Sequence, residues 1–443
     1  MNSRIEAVAA AASRVRELGT LALVAILPLV FNPYSFDAFE RPKVLFFRAT
    51  VGVLALSFLL ERASASDPRK PRGSSALDGL VVLYAAAHVL ATIVSIDPGL
   101  SFWGASDGHG TLTLLGLVGL YFILSRSRQT RDERARLLDA VLLSTIPLAL
   151  YGLLQYVGLD PLPWLTDSVS PVLATMGRSN FLGAYMAMAV PLTFFRIASS
   201  SSRSPVRLWT ILLLQASIVA LSQARAAWLA LVGGAVVFTA LLDRGMERRR
   251  FLALTVSFLA LGILLFTPLS GGDPPSLRVD GARSAPSFSE IRAHTVGSRL
   301  SIWRCTLSLL PDRWLLGYGP EAFARVFASR CPVAPPGWIV DDPHNLFLDQ
   351  LFAAGVTGAI AFAILIVFFF RSLPAPDARN RNERALRAAL LGSGTAFLVQ
   401  AQFNPDAIAL TLLFWVVLAI AARSREVTPR LRTRYNISNS TFE

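Results

Sequence analysis

The chain is predicted to be an all-α polytopic membrane protein, and three observations predict it. Of its 443 residues 53% are apolar and only 16% are charged. The apolar residues come in blocks long enough to cross a bilayer, for which roughly 20 residues suffice. The arginines cluster after every second block, which is the signature of a cytoplasmic face.

About twelve spans are expected on this reading. They fall over 18–35, 43–61, 78–95, 111–125, 138–156, 180–197, 207–222, 226–242, 251–268, 346–370, 386–402 and 407–422. The first follows arginines, as a secretion signal would, but it runs on into Phe31-Asn32-Pro33 with no small-residue cleavage site. It is therefore read as a retained span. Gly392-Ser393-Gly394 inside the eleventh points to close helix packing rather than a break. One polytopic domain is expected over 1–443, with a loop subdomain over 268–345 between spans nine and ten and a tail over 424–443. The loop begins with a Gly-, Pro- and Ser-rich stretch from Gly271 to Ser289. From Gly297 to Leu310 it turns helical, with Leu300, Trp303, Leu307 and Leu310 on one face, as in a helix lying against the membrane or the bundle.

The formal net charge of +13 raises the question of nucleic acid, and its placement answers it. Arg62, Arg69, Lys70 and Arg72 follow span two, and Arg126, Arg128, Arg131, Arg134 and Arg136 follow span four. Arg196, Arg203 and Arg207 follow span six, Arg244 and Arg248 to Arg250 follow span eight, and Arg371, Arg379, Arg381, Arg384 and Arg387 follow span ten. The alternate short loops are nearly free of basic residues, and Ser95 to Gly110 has none. This is a topology signal and not a nucleic-acid footprint. It places both termini in the cytoplasm and the long loop outside.

The outer side carries the candidate chemistry. In Asp341-Asp342-Pro343-His344-Asn345, Asp342 is expected to cap a helix with Pro343 in its first position, holding His344 one turn in. A helix start favours anions and keeps a nearby imidazole neutral, which suits a general base acting on a phosphate-bearing substrate. The alternative is an interfacial cap with an incidental histidine. Arg225, in Ser222-Gln223-Ala224-Arg225-Ala226-Ala227-Trp228, stands at the membrane boundary of the basic-poor side. It is read as functional or as snorkelling to the interface. Arg299 shares a helical face with Trp303, four residues on, and is read as an oriented guanidinium or an exposed helical arginine. Gly317 and Gly319, in Gly317-Tyr318-Gly319-Pro320, allow a tight turn that packs the subdomain; they lack the spacing of a nucleotide loop. The only two cysteines, Cys305 and Cys331, both lie in this loop and are read as a disulfide or as two unpaired thiols. No metal site and no cofactor are expected, since the four histidines are scattered as His88, His109, His294 and His344. Asp341 and Asp342 are adjacent and are read as capping the helix and orienting His344, with binding of a divalent ion as the alternative. No acidic or basic residue is expected deep within a span.

These segments together resemble the O-antigen ligase superfamily of lipopolysaccharide ligases, related polymerases and protein O-oligosaccharyltransferases. The resemblance runs over most of the chain. It rests on Asp37 with Pro42-Lys43, Ser95-Ile96-Asp97-Pro98 through Ser101-Phe102-Trp103-Gly104, and Gly177-Arg178-Ser179-Asn180-Phe181-Leu182-Gly183. It continues through the Arg225 segment, Ser298-Arg299 with Trp303, Leu316-Gly317-Tyr318-Gly319 with Phe323, and His344-Asn345-Leu346-Phe347-Leu348 with Gly355-Val356-Thr357-Gly358. Phe403-Asn404-Pro405-Asp406 with Trp415 closes it. The chain departs from the family at Asp107-Gly108-His109-Gly110, where an arginine is common before the glycine. It departs again at Ala353-Ala354, where an acidic residue is common.

The resemblance implies glycan transfer from a polyprenyl-diphosphate-linked donor at the outer face of a bacterial inner membrane. The acceptor would be a glycolipid or glycan, with lipid A-core foremost, and the remaining partner is membrane lipid. A leaving diphosphate needs cationic stabilisation, a role for Arg225 and Arg299, with Arg178 as a further donor contact or an interfacial anchor. His344 is the expected base of a metal-independent, inverting displacement, with Asp342, Asn345, Trp303, Gly317 and Gly319 in support. A polymerase of the same superfamily is the nearest alternative, and a twelve-span transporter is the alternative of another class. Against the transporter, the sequence shows no repeat between its halves.

Overall fold

The computed structural model describes residues 2–35, 37–64, 75–127, 131–162, 170, 172–200, 205–242, 245–266, 288–331, 340–372 and 381–424. The Gly-, Pro- and Ser-rich stretch up to residue 287, the tail from 425, and Arg69, Lys70, Arg72, Arg128, Arg203, Arg244 and Arg379 lie outside the described residues.

Among the described residues the chain is helical and has no strand. In order come α1 (Asn2–Ile26), α2 (Glu40–Ala63), α3 (Ala76–Ile93), α4 (Pro98–Trp103), α5 (Thr111–Arg126), α6 (Arg131–Tyr156), α7 (Ser179–Ala198) and α8 (Val206–Leu221). There follow α9 (Arg225–Leu241), α10 (Met246–Phe266), α11 (Phe288–Leu309), α12 (Phe323–Arg330), α13 (Leu346–Ser372), α14 (Arg381–Gln400) and α15 (Ile408–Ser424). The apolar blocks overlap helices, but the first departs from the expected 18–35: α1 covers Asn2–Ile26, followed by a short 3-10 turn at Leu27–Leu29. Helices α4, α11 and α12 lie in the polar connections. Five helices, α2, α3, α6, α7 and α13, are long and apolar enough to cross a membrane, while α5, α8, α9 and α15 are apolar but shorter.

At the centre α7, α9 and α14 pack on one another. Glycine makes this possible: a Cβ at Gly234 of α9 would lie 2.8 Å from the Gly392 carbonyl of α14, and one at Gly392 would lie 2.7 Å from the Gly234 carbonyl. Small residues at a helix crossing let the backbones approach, as expected for the Gly392 segment. Around this layer α1 packs on α2 and α6, α2 on α5, α5 on α15, and α3 on α13.

The tenth block is not one continuous helix. Gly355 breaks α13 with φ 63° and ψ −163°, and the segment after α11 docks into the break. Tyr318 and Gly319 donate backbone N–H groups to the carbonyls of Phe352 and Ala353 at 2.8 and 3.0 Å. Val356 donates to Trp314 at 2.8 Å. The backbone groups freed by the break are thus satisfied, without which it would be costly in a membrane protein. Gly317 and Gly319 permit the approach, with φ 70° and 105°, and a Cβ at Gly317 would lie 2.5 Å from the Phe352 carbonyl.

The loop subdomain closes around Ile302, Leu309, Tyr318, Phe323, Phe327 and Phe352. A disulfide between Cys305 and Cys331, with Cα atoms 6.2 Å apart, ties α11 to the end of α12. Helix α11 starts nine residues before the expected Gly297, and its packed face is also different. Ile302, Thr306 and Leu309 are buried while Leu300 and Leu307 are exposed. The disulfide at Cys305 and the contact with α13 fix this rotation, and both lie outside the helix's own pattern.

Candidate functional site

The N-terminal ends of α2, α5, α7, α9, α13 and α15 carry or adjoin the polar residues of one site. The α13 end differs from the sequence expectation. Pro343 is not in the helix, Asp342 is not its cap, and His344 is not one turn in. Asn345 is the cap: its Oδ1 accepts the N–H groups of Phe347 and Leu348, both at 3.1 Å. His344 precedes it with φ 52°, a left-handed conformation costly for a residue with a Cβ. Asp342 serves His344 instead. Its Oδ1 accepts the His344 backbone N–H and lies 2.9 Å from ring Nδ1. Nδ1 sits off the hydrogen-bonding line and makes no well-formed bond. The loop is fastened on both sides. Trp303 Nε1 donates to the Pro343 carbonyl at 2.9 Å, and Leu346 N–H donates to Ala401 at 2.8 Å.

Arg299 lies near this loop, and Arg225 lies near Arg299. Burial lowers the affinity of the Arg299 guanidinium for its proton, Asp342 opposes that shift, and the charge of Arg225 adds to it. Arg299 therefore lies within electrostatic reach of both. Arg225 is the first residue of α9, where a helix dipole disfavours a cation and favours an anion beside it. Arg178 stands at the cap of α7 with its guanidinium 5.8 Å from the Phe181 ring centroid. Burial and Asp342 push the Asp341 carboxyl up, while Arg178 and His344 pull it down. The four described non-glycine residues with positive φ are Ala174, Gln223, Glu321 and His344. Each stands at or just before a segment of this site.

A cavity of about 430 Å³ opens beside the loop. Arg178, Asp341, Asp342 and Asn345 line it, but Arg225, Arg299, Trp303 and His344 do not. The loop thus has two sides, one toward the cationic pair and one toward the cavity. Gly317 and Gly319 touch neither; their role is to dock the subdomain at Gly355.

Several cavity residues were not singled out from the sequence. His109 Nε2 lies 3.2 Å from Glu40 Oε2, which also accepts the Ile408 N–H at 3.0 Å. Burial alone would lower the His109 pKa, but the bond to Glu40 and the charges of Asp107, Glu40 and Asp406 raise it well above the ordinary value. Glu321, whose Oε2 accepts the Ala105 N–H at 3.2 Å, is pushed up to about 8 by burial and by Asp107. His88, within α3, and Asp349, in the first turn of α13, also line the cavity. The only signal for Asp349 was an acidic residue four positions into an apolar run. Lys43 is fully buried, and its Nζ donates to the carbonyls of Phe39 at 2.9 Å and Thr175 at 2.7 Å. It thereby fixes the turn that carries Arg178.

For a cation, Asp341, Asp342 and His344 each offer one ligand atom, all within 4.8 Å of one another. The adjacent Asp341 and Asp342 were the part of this set visible in the sequence; the approach of His344 was not.

With the geometry in place, the comparisons with known proteins fall on the same segments. A family model described as O-antigen ligase matches residues 210–363. That stretch holds Arg225, Arg299, Trp303, Gly317, Gly319, Asp342, His344, Asn345 and both cysteines. No curated protein matches the chain. Over that stretch the chain is similar to the O-antigen ligase family.

Proposed function

We propose that the protein transfers a glycan from a polyprenyl diphosphate carrier to a sugar hydroxyl of an acceptor, lipid A-core foremost, at the outer face of a bacterial inner membrane. The observation that carries this reading is that Arg299, from the middle of α11, lies within electrostatic reach both of Arg225 at the start of α9 and of Asp342, which sits against His344 just before α13. Such an arrangement holds a diphosphate and a general base side by side. Asp342 at Nδ1 orients the ring and leaves Nε2 to accept the proton. The acceptor oxygen attacks the anomeric carbon and loses its proton to His344. The bond from that carbon to the diphosphate breaks, and the diphosphate leaves with the electron pair, stabilised by Arg225 and Arg299. Attack opposite the leaving group inverts the anomeric centre. The two arginines supply the charge a metal would otherwise bring, so transfer is expected to persist in excess chelator. Loss in chelator with recovery on a divalent ion would instead assign Asp341, Asp342 and His344 to a metal.

The first experiment is a glycolipid gel of a deletion strain complemented with wild type or His344→Ala. Loss of the long ladder from lipid A-core, with polymer accumulating on the carrier, establishes a ligase. Core bearing a single repeat unit establishes a polymerase. An unchanged ladder in the deletion strain would overturn the reading. General-base loss is expected to cost roughly 10²–10⁴-fold in turnover with donor binding retained.

A further inference from the structure

The cavity beside the His344 loop has a chemistry of its own. Eight acidic side chains line it: Asp37 and Glu40 from one turn, Asp107, Glu321, Asp341 with Asp342, Asp349 and Asp406. Glu321, pushed up to about 8, is mostly protonated near neutral pH, so the negative field comes from the others. The only arginine in its lining is Arg178, and His109 is engaged with Glu40. Two acidic oxygens, Glu40 Oε1 and Asp107 Oδ1, are out of contact with solvent and have no hydrogen-bond partner. Neither oxygen is within reach of a solute in the cavity, so what they add to it is negative charge rather than a contact. Phe181 and Phe397 contribute ring edges to the wall, and the amides of Gln350 and Asn404 are held by Tyr84, Asn180 and Gln400, which fixes the wall's shape. A volume of about 430 Å³ lies within the usual range for a small-molecule site. Asp406 is open to this space although protein surrounds it.

We propose that this cavity is the acceptor subsite and that it takes a sugar free of acidic groups, with an amino sugar favoured and a uronate or phosphorylated sugar refused. The proposal rests on the transferase reading for the word acceptor, but not for the class of ligand. Hydroxyl and ammonium groups donate to the carboxylates, and an added acid group meets a field of its own sign. The Asp341-Asp342-Pro343-His344 loop then separates an anion-binding side from an anion-refusing side. Donor diphosphate and acceptor sugar are sorted by charge before they meet at His344.

The test uses the full chain in detergent or nanodiscs. Both native cysteines are in the disulfide, so Ser106→Cys places one free thiol at an exposed position of the cavity wall. Its modification rate is measured with a cationic aminoethyl and an anionic sulfonatoethyl methanethiosulfonate, each normalised to a free thiol. The expected result is a preference of about tenfold or more for the cationic reagent, as a charged low-dielectric cleft concentrates ions of opposite sign. Asp107→Asn, which leaves every described hydrogen bond in place, lowers that preference several-fold. Glucosamine slows the labelling and glucuronate does not.

Equal rates for the two reagents, or protection by glucuronate as strong as by glucosamine, would overturn the proposal. So would a thiol that neither reagent reaches, because the cavity would then be closed to polar solutes. The assay needs neither donor nor turnover. If labelling discriminates as expected but the deletion strain keeps its ladder, the ligand class stands and the transferase reading fails. If transfer is intact but glucuronate protects, this inference fails alone. Where transfer is intact, glucosamine should inhibit competitively against acceptor and not against donor.

Discussion

At His344 the chain accepts a left-handed backbone to hold an imidazole just outside the helix it precedes. Such strain costs on the order of 1–3 kcal/mol and persists only where the surroundings impose it. Here the Asn345 cap, the Trp303 bond and the Asp342 contacts impose it. Asn345→Ala is therefore expected to lose about 1 kcal/mol of cap energy and to lower turnover through a displaced His344. Thermal unfolding and donor binding would separate the two effects, since donor binding should change little. Arg299 gives a second prediction. Its guanidinium is half-buried beside another cation, and only a group of very high basicity stays charged there. Arg299→Lys should bind donor at least about tenfold more weakly, with part of the loss recovered as pH falls and the amine regains its proton. A lysine variant with full affinity at every pH would remove Arg299 from the diphosphate site. These residues were legible because each is a polar group set against an apolar or basic-poor background. The cap assignment was not, because Asp342 and Asn345 are both good caps and only the backbone turn at His344 decides between them.

At the scale of elements, apolar block length was enough to locate the helices, and it could not reveal the break in α13. Gly355 reads as one more small residue in an apolar run. Its left-handed φ exists because residues 314–319, distant in sequence, supply replacement hydrogen bonds. The motif pieces from Ser95 to Ser101 have the same explanation. Ser95 Oγ donates to the Tyr318 carbonyl at 3.0 Å and Ser101 Oγ to the Pro320 carbonyl at 2.7 Å, so they clamp the docked segment and do no chemistry. Gly355→Ala would both force a strained φ and drive its Cβ into the Leu315 backbone. A loss of about 1–3 kcal/mol or more is expected, read as reduced yield of monodisperse protein and a lower melting temperature. A variant as stable as wild type would mean that α13 can run straight. The disulfide closes a loop with a sequence separation of 26. Chain entropy puts its worth at about 3 kcal/mol for the loop subdomain. Replacing both cysteines by serine should loosen α11 and weaken donor binding, while the transmembrane bundle stays folded.

Across the whole molecule the helices sort charge as well as apolar surface. The N-terminal ends of α2, α5, α7, α9, α13 and α15 face the site, and four of these helices end in a basic last turn at Arg62, Arg126, Arg196 and Arg371. Each such arginine stabilises its own helix end. Of the N-terminal ends, that of α9 carries Arg225 beside the proposed diphosphate side, while those of α2 and α15 adjoin the acidic cavity. The acidic cavity escaped the sequence reading. Its acidic residues come singly or in pairs from several segments, and each alone looks like a cap or a loop acid. The orientation itself is open to a direct test. A phosphatase reporter active only outside the cytoplasm should be active when fused within 267–287. It should be silent when fused after Arg126, after Ser372 or at the C-terminus. The positive-inside rule fixes that pattern, because arginines in short loops resist translocation. The reverse pattern would place His344, Arg225 and Arg299 on the cytoplasmic side, out of reach of a donor displayed on the outer face. The proposed transfer would then fail on topology before any question of catalysis arose.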